Sequence, residues 1–308
     1  EVCNMACTYC VTSLSDHKRS PDELNADQML YLVRLLKENA GIEKVRLTGG
    51  EPLLRRGVQD LVEMLARVKG IEDLALTTNG VLLALHAADL RRAGLHRVTV
   101  SLDALDREIF ARMNGVGAKV ESVLTGIERA KDCGLGVKVN AVVQRGVNEG
   151  EIIPLVHWGR EQGIPVRFIE FMDVGETNGW RMEEVVSARE IVEVIEKEFS
   201  LQKLSPTHRG EVAQRYGFCE GSGEVGVISS VTSPFCGGCN RLRLSAEGKL
   251  FTCLFARSGV DVRGLLRSGK EATLCSVLEG IWRGRSDRYS EERGSGEKPK
   301  VEMSYIGG

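Results

Sequence analysis

Short β-branched runs alternate with amphipathic stretches along most of this chain, and that rhythm limits its fold more than any other feature. KVRLTGGEP, LALTTNG, RVTVSLD, VKVNAVV and VRFIEF read as successive strands, each running into a polar loop. Between them, residues 57–69, 81–93, 120–133 and 148–162 carry apolar residues at helical spacing, and Gly94 and Gly134 stand where helix C-caps favour glycine. Strand and helix in alternation predict an α/β protein with a parallel sheet or barrel, whose active site gathers at the C-terminal ends of the strands. The polar tails TGGEP, TTNG and SLDA therefore converge.

Side chains two apart on a strand share a face. Arg46 and Thr48 oppose Val45 and Leu47, and Lys138 and Asn140 oppose Val137 and Val139, so the polar set is expected to line the interior. A small closed barrel normally fills with apolar side chains, and cations pointing inward suggest an enclosed anionic ligand. The alternative is that Arg46 and Lys138 pair with buried carboxylates.

The loop CNMACTYC places Cys3, Cys7 and Cys10 in a CxxxCxxC spacing. Three thiolates are one short of a structural zinc site and suit an iron-sulfur cluster with one iron open to a ligand. A second trio, Cys236, Cys239 and Cys253, lies in FCGGCNRLRLSAEGKLFTC. Within it Arg241 and Arg243 alternate with Leu242 and Leu244, so both guanidiniums leave one face of a strand while the leucines pack behind. Such forks suit phosphate oxygens, and the adjacent cysteines favour that over a merely solvated charged face.

Nine cysteines with no visible signal peptide argue for reduced thiols in a reducing compartment: the cytoplasm, or the mitochondrial matrix for a eukaryotic source. Cys133, Cys219 and Cys275 match no motif and are expected to be buried structural thiols. No apolar run approaches the roughly 18 residues of a membrane helix. A formal net charge of -2 gives no reason to expect a membrane or nucleic-acid surface.

The CxxxCxxC loop followed by a strand ending in Gly49-Gly50-Glu51-Pro52 resembles the radical S-adenosylmethionine (SAM) superfamily, and implies a partial (β/α)6 TIM-like barrel. The distal trio, the run RFIEFMDVG and the terminal Gly307-Gly308 narrow this: the chain is similar to the GTP 3′,8-cyclases of molybdenum cofactor biosynthesis over almost its whole length. The resemblance implies that Cys3, Cys7 and Cys10 hold a [4Fe-4S] cluster whose open iron chelates SAM. It places Tyr9, Gly49, Gly50, Glu51, Ser101 and Met172 around that cofactor, although Ser101 could cap a loop and Met172 could be core. It further implies a second [4Fe-4S] cluster on Cys236, Cys239 and Cys253 that touches guanine, with Arg46, Thr77, Lys138, Arg241 and Arg243 on GTP. Arg167 either extends this set or orients a carboxylate.

The implied chemistry is reductive cleavage of SAM to a 5′-deoxyadenosyl radical, abstraction of the ribose 3′ hydrogen, and closure of C3′ onto C8 of guanine. Gly307 and Gly308 are expected to enter the active site, against the plainer reading of a frayed terminus. The implied partners are a reductase or flavodoxin-type electron donor, a downstream protein that forms the cyclic pyranopterin, and a second copy in a homodimer.

The barrel is expected over 1–215 and a second-cluster and GTP-binding region over 216–308, because GEVAQRYGFCEGSGEVG is glycine-rich. The charged stretch 284–300 is expected to be solvent-exposed. A barrel-closing strand with a further arginine is usual ahead of Glu1, so residues are expected to be missing there. Met5 and Ala6 stand where an aromatic residue and an arginine are usual, which predicts a looser cluster loop. Two other readings remain: a peptide-modifying radical SAM enzyme, and a non-catalytic zinc protein completing its sites with His17 and His208.

Overall fold

Parallel strands and outer helices alternate as the sequence predicts, and the core lies between the two layers. The computed structural model describes residues 2–10, 22–286, 288–291 and 300–307. The strands are β1 (Lys44–Leu47), β2 (Asp73–Thr78), β3 (Arg97–Ser101), β4 (Gly136–Val143), β5 (Val166–Glu170), β6 (Leu201–Lys203), β7 (Gln214–Phe218) and β8 (Glu224–Ile228). They form one sheet in the order β1-β2-β3-β4-β5-β8-β7-β6. The first six in that order run parallel, and β7 and β6 close the far edge antiparallel. This open arc is the partial barrel expected from the sequence.

The helices are α1 (Ala26–Ala40), α2 (Val58–Ala66), α3 (Leu83–Arg92), α4 (Arg107–Asn114), α5 (Val120–Asp132), α6 (Ile152–Gln162), α7 (Ala188–Glu196), α8 (Arg263–Arg267), α9 (Glu271–Arg283) and α10 (Met303–Ile306). Leu74, Leu76, Val98, Val100 and Val139 on the strands share one buried core with Leu83, Leu90, Val123 and Ile127 on α3 and α5. The helices therefore cover the apolar face of the sheet and leave the other face to the chamber.

The glycine-rich run around residue 215 is a β7–β8 hairpin, whose second strand joins β5 as the sixth parallel strand. Helix α1 was not legible among the strand signals, although Asn25 and Gln28 form a capping box at its start.

A second core joins α1 to the C-terminal part. Leu32, Leu35 and Leu36 of α1 are buried with Leu250, Leu274 and Leu278, and each such leucine contributes roughly 1.5–3 kcal/mol. Leu250 belongs to a small antiparallel sheet of β9 (Arg243–Leu244), β10 (Lys249–Phe251) and β11 (Val260–Asp261). Leu242 and Leu244 pack against this core, as their alternation with the arginines predicts.

Of the three unassigned cysteines, Cys133 and Cys275 are partly buried at the margins of the two cores. Cys219 is exposed, which corrects its expected burial: it follows β7 where the chain turns at the edge of the sheet. The stretch 284–300 is mixed among its described residues, with Arg288 exposed and Tyr289 half-buried. No helix among the described residues is long and apolar enough to cross a membrane.

Candidate active site

The register of the parallel strands decides which side chains meet. Thr77, Thr99 and Lys138 are aligned across β2, β3 and β4, and Ser101, Asn140, Arg167 and Gly226 across β3, β4, β5 and β8. Arg46 is aligned with Ala75 and, through it, with Arg97. In a parallel sheet aligned residues project to one side, so this face is polar and cationic, as the alternation within KVRLT and VKVNA predicts.

Asp73 answers Arg97 directly, while Glu211 and Glu224 lie near enough to Lys138 and Arg167 to offset part of their charge. Asp73 accepts a two-pronged contact from Arg97, Nε to Oδ1 at 2.8 Å and Nη2 to Oδ2 at 2.6 Å. Among the described residues Arg46, Lys138 and Arg167 make no ion pair, which argues against the carboxylate-pairing alternative. Arg46 is exposed on the edge strand β1, although protein atoms crowd around it. Loss of hydration and the neighbouring Arg97 push its pKa down to about 10. Arg167 is lowered to about 10 by burial and by Arg46, and Lys138 is lowered by burial and by Arg167. The three repel one another in a site without enough anions.

Arg167, left open by the sequence, belongs to this ring. Its Nε is buried without a partner, as are Thr77 Oγ1 and Asn140 Oδ1, and Nη2 reaches Thr99 Oγ1 at 3.4 Å. Gly226 gives it room: a Cβ there would stand 3.0 Å from Arg167 Cγ. Unpaired buried polar groups are costly, and this set matches an anionic, hydrogen-bonding ligand.

At the C-terminal ends of the strands, Cys3, Cys7 and Cys10 lie partly buried. Backbone contacts hold part of their loop. Met5 is in the core, Ala6 and Thr8 donate backbone N–H groups to Asn114 and Met113 at 3.0 Å, and Cys10 N–H reaches the Cys7 carbonyl at 2.9 Å. Burial raises the Cys7 thiol well above its ordinary pKa, with Asp103 adding to the effect. A bare thiolate is thus disfavoured, and a metal's positive charge would supply what the pocket lacks.

The GGEP turn packs directly on this loop. Glu51 N–H donates to the Val2 carbonyl at 2.9 Å, and a Cβ on Gly50 would collide with that same oxygen. The Glu51 carboxylate turns into the fold, accepting from Leu53 N–H at 3.0 Å, Thr78 Oγ1 at 2.8 Å and Asn79 N–H at 2.8 Å. It braces the turn that presents Gly49 and Gly50.

Tyr9 donates to Asp103 Oδ2 at 2.8 Å, and Val142 N–H donates to Oδ1 at 2.8 Å. Burial lifts Asp103 to about 6 despite these bonds. Ser101 ends β3 on the interior face, and Met172 lies partly buried just beyond β5, its carbonyl taken by Asn178 Nδ2 at 2.8 Å.

The second trio surrounds the small sheet. Cys236 and Cys239 precede β9, and Cys253 follows β10. Burial alone would raise the Cys239 thiol, but Arg241 overrides it, with Nε 3.2 Å from Sγ, and the net shift is downward. That polarity suits a metal-bound thiolate. Sequence reasoning missed Arg285, which donates from Nη1 to the Arg241 carbonyl and from Nη2 to the Thr252 carbonyl, both at 2.8 Å. It clamps the two segments that carry Cys239 and Cys253, and its distance along the chain left no motif to find it by.

Arg243, close to Arg241, Cys239 and Cys253, donates from Nη1 to the Gly307 carbonyl. Gly307 has φ +78, and a Cβ there would stand 2.7 Å from Thr48 Cγ2. The tail thus sits between the second trio's strand and the start of the GGEP turn. Gly308 lies outside the described residues, as does His17. His208 bonds to Thr207 Oγ1 at 3.0 Å, near Lys44 and Glu211. No three His, Cys, Asp or Glu side chains among the described residues gather as a single-ion site.

Comparisons with known proteins agree with this geometry. The profile of the radical SAM superfamily matches residues 1–159, and that of Molybdenum Cofactor Synthesis C matches residues 164–291. A GTP 3′,8-cyclase of Xanthomonas axonopodis pv. citri is 49% identical over 100% of this chain and 94% of its own length. Those of Acidothermus cellulolyticus and Staphylococcus epidermidis are 45% and 41% identical over 99% of this chain, and 94% and 93% of theirs. Among solved structures, Streptococcus suis SuiB bound to S-adenosylmethionine superposes with TM-score 0.64 at 15% identity, over 91% of this chain and 66% of that one. Methylornithine synthase superposes with TM-score 0.52 at 20% identity, over 63% and 58%. At these identities the structural likeness is one of fold.

Proposed function

We propose how two cysteine trios share one reaction, from the premise that this chain belongs to the GTP 3′,8-cyclase family of the radical SAM superfamily. It converts GTP to 3′,8-cyclo-7,8-dihydro-GTP, the first step of molybdenum cofactor biosynthesis, using SAM and two [4Fe-4S] clusters. When bound, the clusters and SAM supply the electron and the 5′-deoxyadenosyl radical that removes the ribose 3′ hydrogen.

Cys3, Cys7 and Cys10 hold the first cluster, with the Gly49-Gly50 backbone, Tyr9, Ser101 and Met172 around SAM. Glu51 acts from behind by bracing the GGEP turn. Cys236, Cys239 and Cys253 hold the second cluster, and Arg241 lowers the charge its thiolates present. Arg46, Lys138 and Arg167, which make no ion pair among the described residues, meet the triphosphate together with Arg243, and Thr77 offers a buried hydroxyl that has no other partner. Enclosing the sugar between the two trios holds C3′ near the radical and excludes water.

The observation that carries this reading is the Gly307 contact, since a residue touching both Thr48 and Arg243 joins the two halves of the site. The peptide-modifying alternative rests on fold likeness alone, and the zinc alternative finds no ligand among the described residues to complete either trio. The chemistry calls for a reductase or flavodoxin-type donor for the electrons and a pyranopterin-forming protein for the product, and the family resemblance suggests a second copy of the chain in a homodimer. A reducing compartment such as the cytoplasm suits a chain with nine cysteines.

The test is an anaerobic assay of iron-reconstituted protein with SAM, dithionite and GTP, following 5′-deoxyadenosine and cyclised product by mass spectrometry. Product that depends on GTP supports the reading. SAM cleavage with GTP unchanged would overturn the substrate assignment.

A further inference from the structure

We propose that Glu302 and Lys300 form a two-point latch that positions Gly307 in the active site, and that Gly175 is the socket of that latch. The inference rests on the reading of the tail as part of the cyclase site. The socket is the loop after β5, which contains Met172 and Asp173.

Glu302 occupies a backbone concavity. Its Oε1 accepts the Glu176 N–H at 2.8 Å, and its Oε2 accepts from Thr177 Oγ1 at 3.1 Å. Gly175 makes this possible in two ways. Its φ of +73 turns the following N–H toward the tail, and a Cβ at this position would overlap the Glu302 carboxylate. Lys300 provides the second point: Nζ donates to the Asp173 carbonyl at 2.7 Å and lies 3.1 Å from its Oδ2, which also accepts from Tyr289 Oη at 2.7 Å. The Lys300 and Asp173 side chains are only 11% and 8% exposed, so this is a shielded pair rather than a surface contact.

The segment beyond the latch is short and stiff. Helix α10 is a single turn, Gly307 N–H donates to the Met303 carbonyl at 2.8 Å, and Ile306 is buried. At about 1.5 Å of rise per residue, the five steps from Glu302 carry Gly307 only about 7.5 Å from the latch. Its other flank rests on the second-trio sheet, where Tyr305 donates to Glu247 at 2.6 Å and meets the Phe251 ring edge-on. The turn is therefore wedged between the loop following Met172 and the strands that carry Arg243. Glu302 and Lys300 register the tail against the cofactor side, while Gly307 reports on the substrate side. They are positioning residues, acting through Gly307 and touching neither reactant.

The test uses the full chain with both clusters reconstituted and compares wild type, Glu302→Ala, Gly175→Ala and the double variant. Hydrogen exchange at the 303–307 amides and the ratio of 5′-deoxyadenosine to cyclised GTP are both measured. Opening the latch should speed tail exchange by about tenfold in either single variant. It should raise the ratio about fivefold, because the radical forms while the ribose is poorly held. Iron content should stay at the wild-type level. The second substitution should add little to the first, since each opens the same contact.

Unchanged tail exchange would overturn the latch. So would faster exchange with a wild-type product ratio, or additive effects in the double variant. Should Gly175→Ala not fold, Thr177→Val removes the neighbouring donor and takes its place. If wild type itself makes no cyclised GTP, the functional reading fails, while the exchange result still decides the latch.

Discussion

The Arg243 guanidinium donates to the Gly307 carbonyl, so a side chain from the second-cluster sheet holds the tail against the GGEP side of the barrel. Removing Gly307 and Gly308 should therefore abolish cyclisation and leave both clusters intact. The check is product formation beside iron content and the cluster absorption spectrum. Gly307→Ala should lose at least tenfold in turnover, because a Cβ meets Thr48 Cγ2 at 2.7 Å and positive φ disfavours alanine.

Arg285 bonds the carbonyls of Arg241 and Thr252, and its removal leaves both without that donor and frees the second trio's strands. Arg285→Met should lower iron from about eight toward about four atoms per chain, if two four-iron clusters are bound and the first survives. Iron analysis with electron paramagnetic resonance of the reduced protein separates loss of one cluster from general unfolding.

Glu51 is buried and satisfies three donors. Glu51→Gln replaces one acceptor oxygen by an amide that faces those donors, at a cost of about 2–3 kcal/mol. A lowered melting temperature together with weaker SAM binding is expected. Unchanged melting would remove Glu51 from its bracing role.

Lys138 has its pKa lowered from 10.5 by burial and by Arg167. Its folded value lies below its unfolded one, so the unfolded chain binds the extra proton across that window and stability gains with rising pH there. At neutral pH the charge opposes folding of the ligand-free protein. Lys138→Met should then melt higher than wild type at pH 7 without ligand, with the gap closing as pH rises toward 10.5. In the presence of GTP the order should reverse, since the cation then has its counterion.

Much of the fold and the site is legible in the sequence, and the reasons differ by residue. Arg46 and Lys138 announce themselves because strand alternation is local and sets their face whatever surrounds them. The cysteine trios are legible as spacing. The β7–β8 hairpin is not, because glycines that make a turn look the same in sequence as glycines in a linker, and only pairing with β5 distinguishes them. Arg167 needs Gly226 on the adjacent strand to show where it fits. Arg285 and the Glu302 contact join segments far apart in the chain, and no local pattern encodes such pairings.

The interior cations also change what the net charge of -2 means. Positive charge concentrated around the chamber leaves the rest of the molecule more acidic than the total suggests. A nucleotide in solution would meet a weakly repelling exterior and an attracting mouth, so capture should be directional, and slowed by added salt more than a neutral cleft would be.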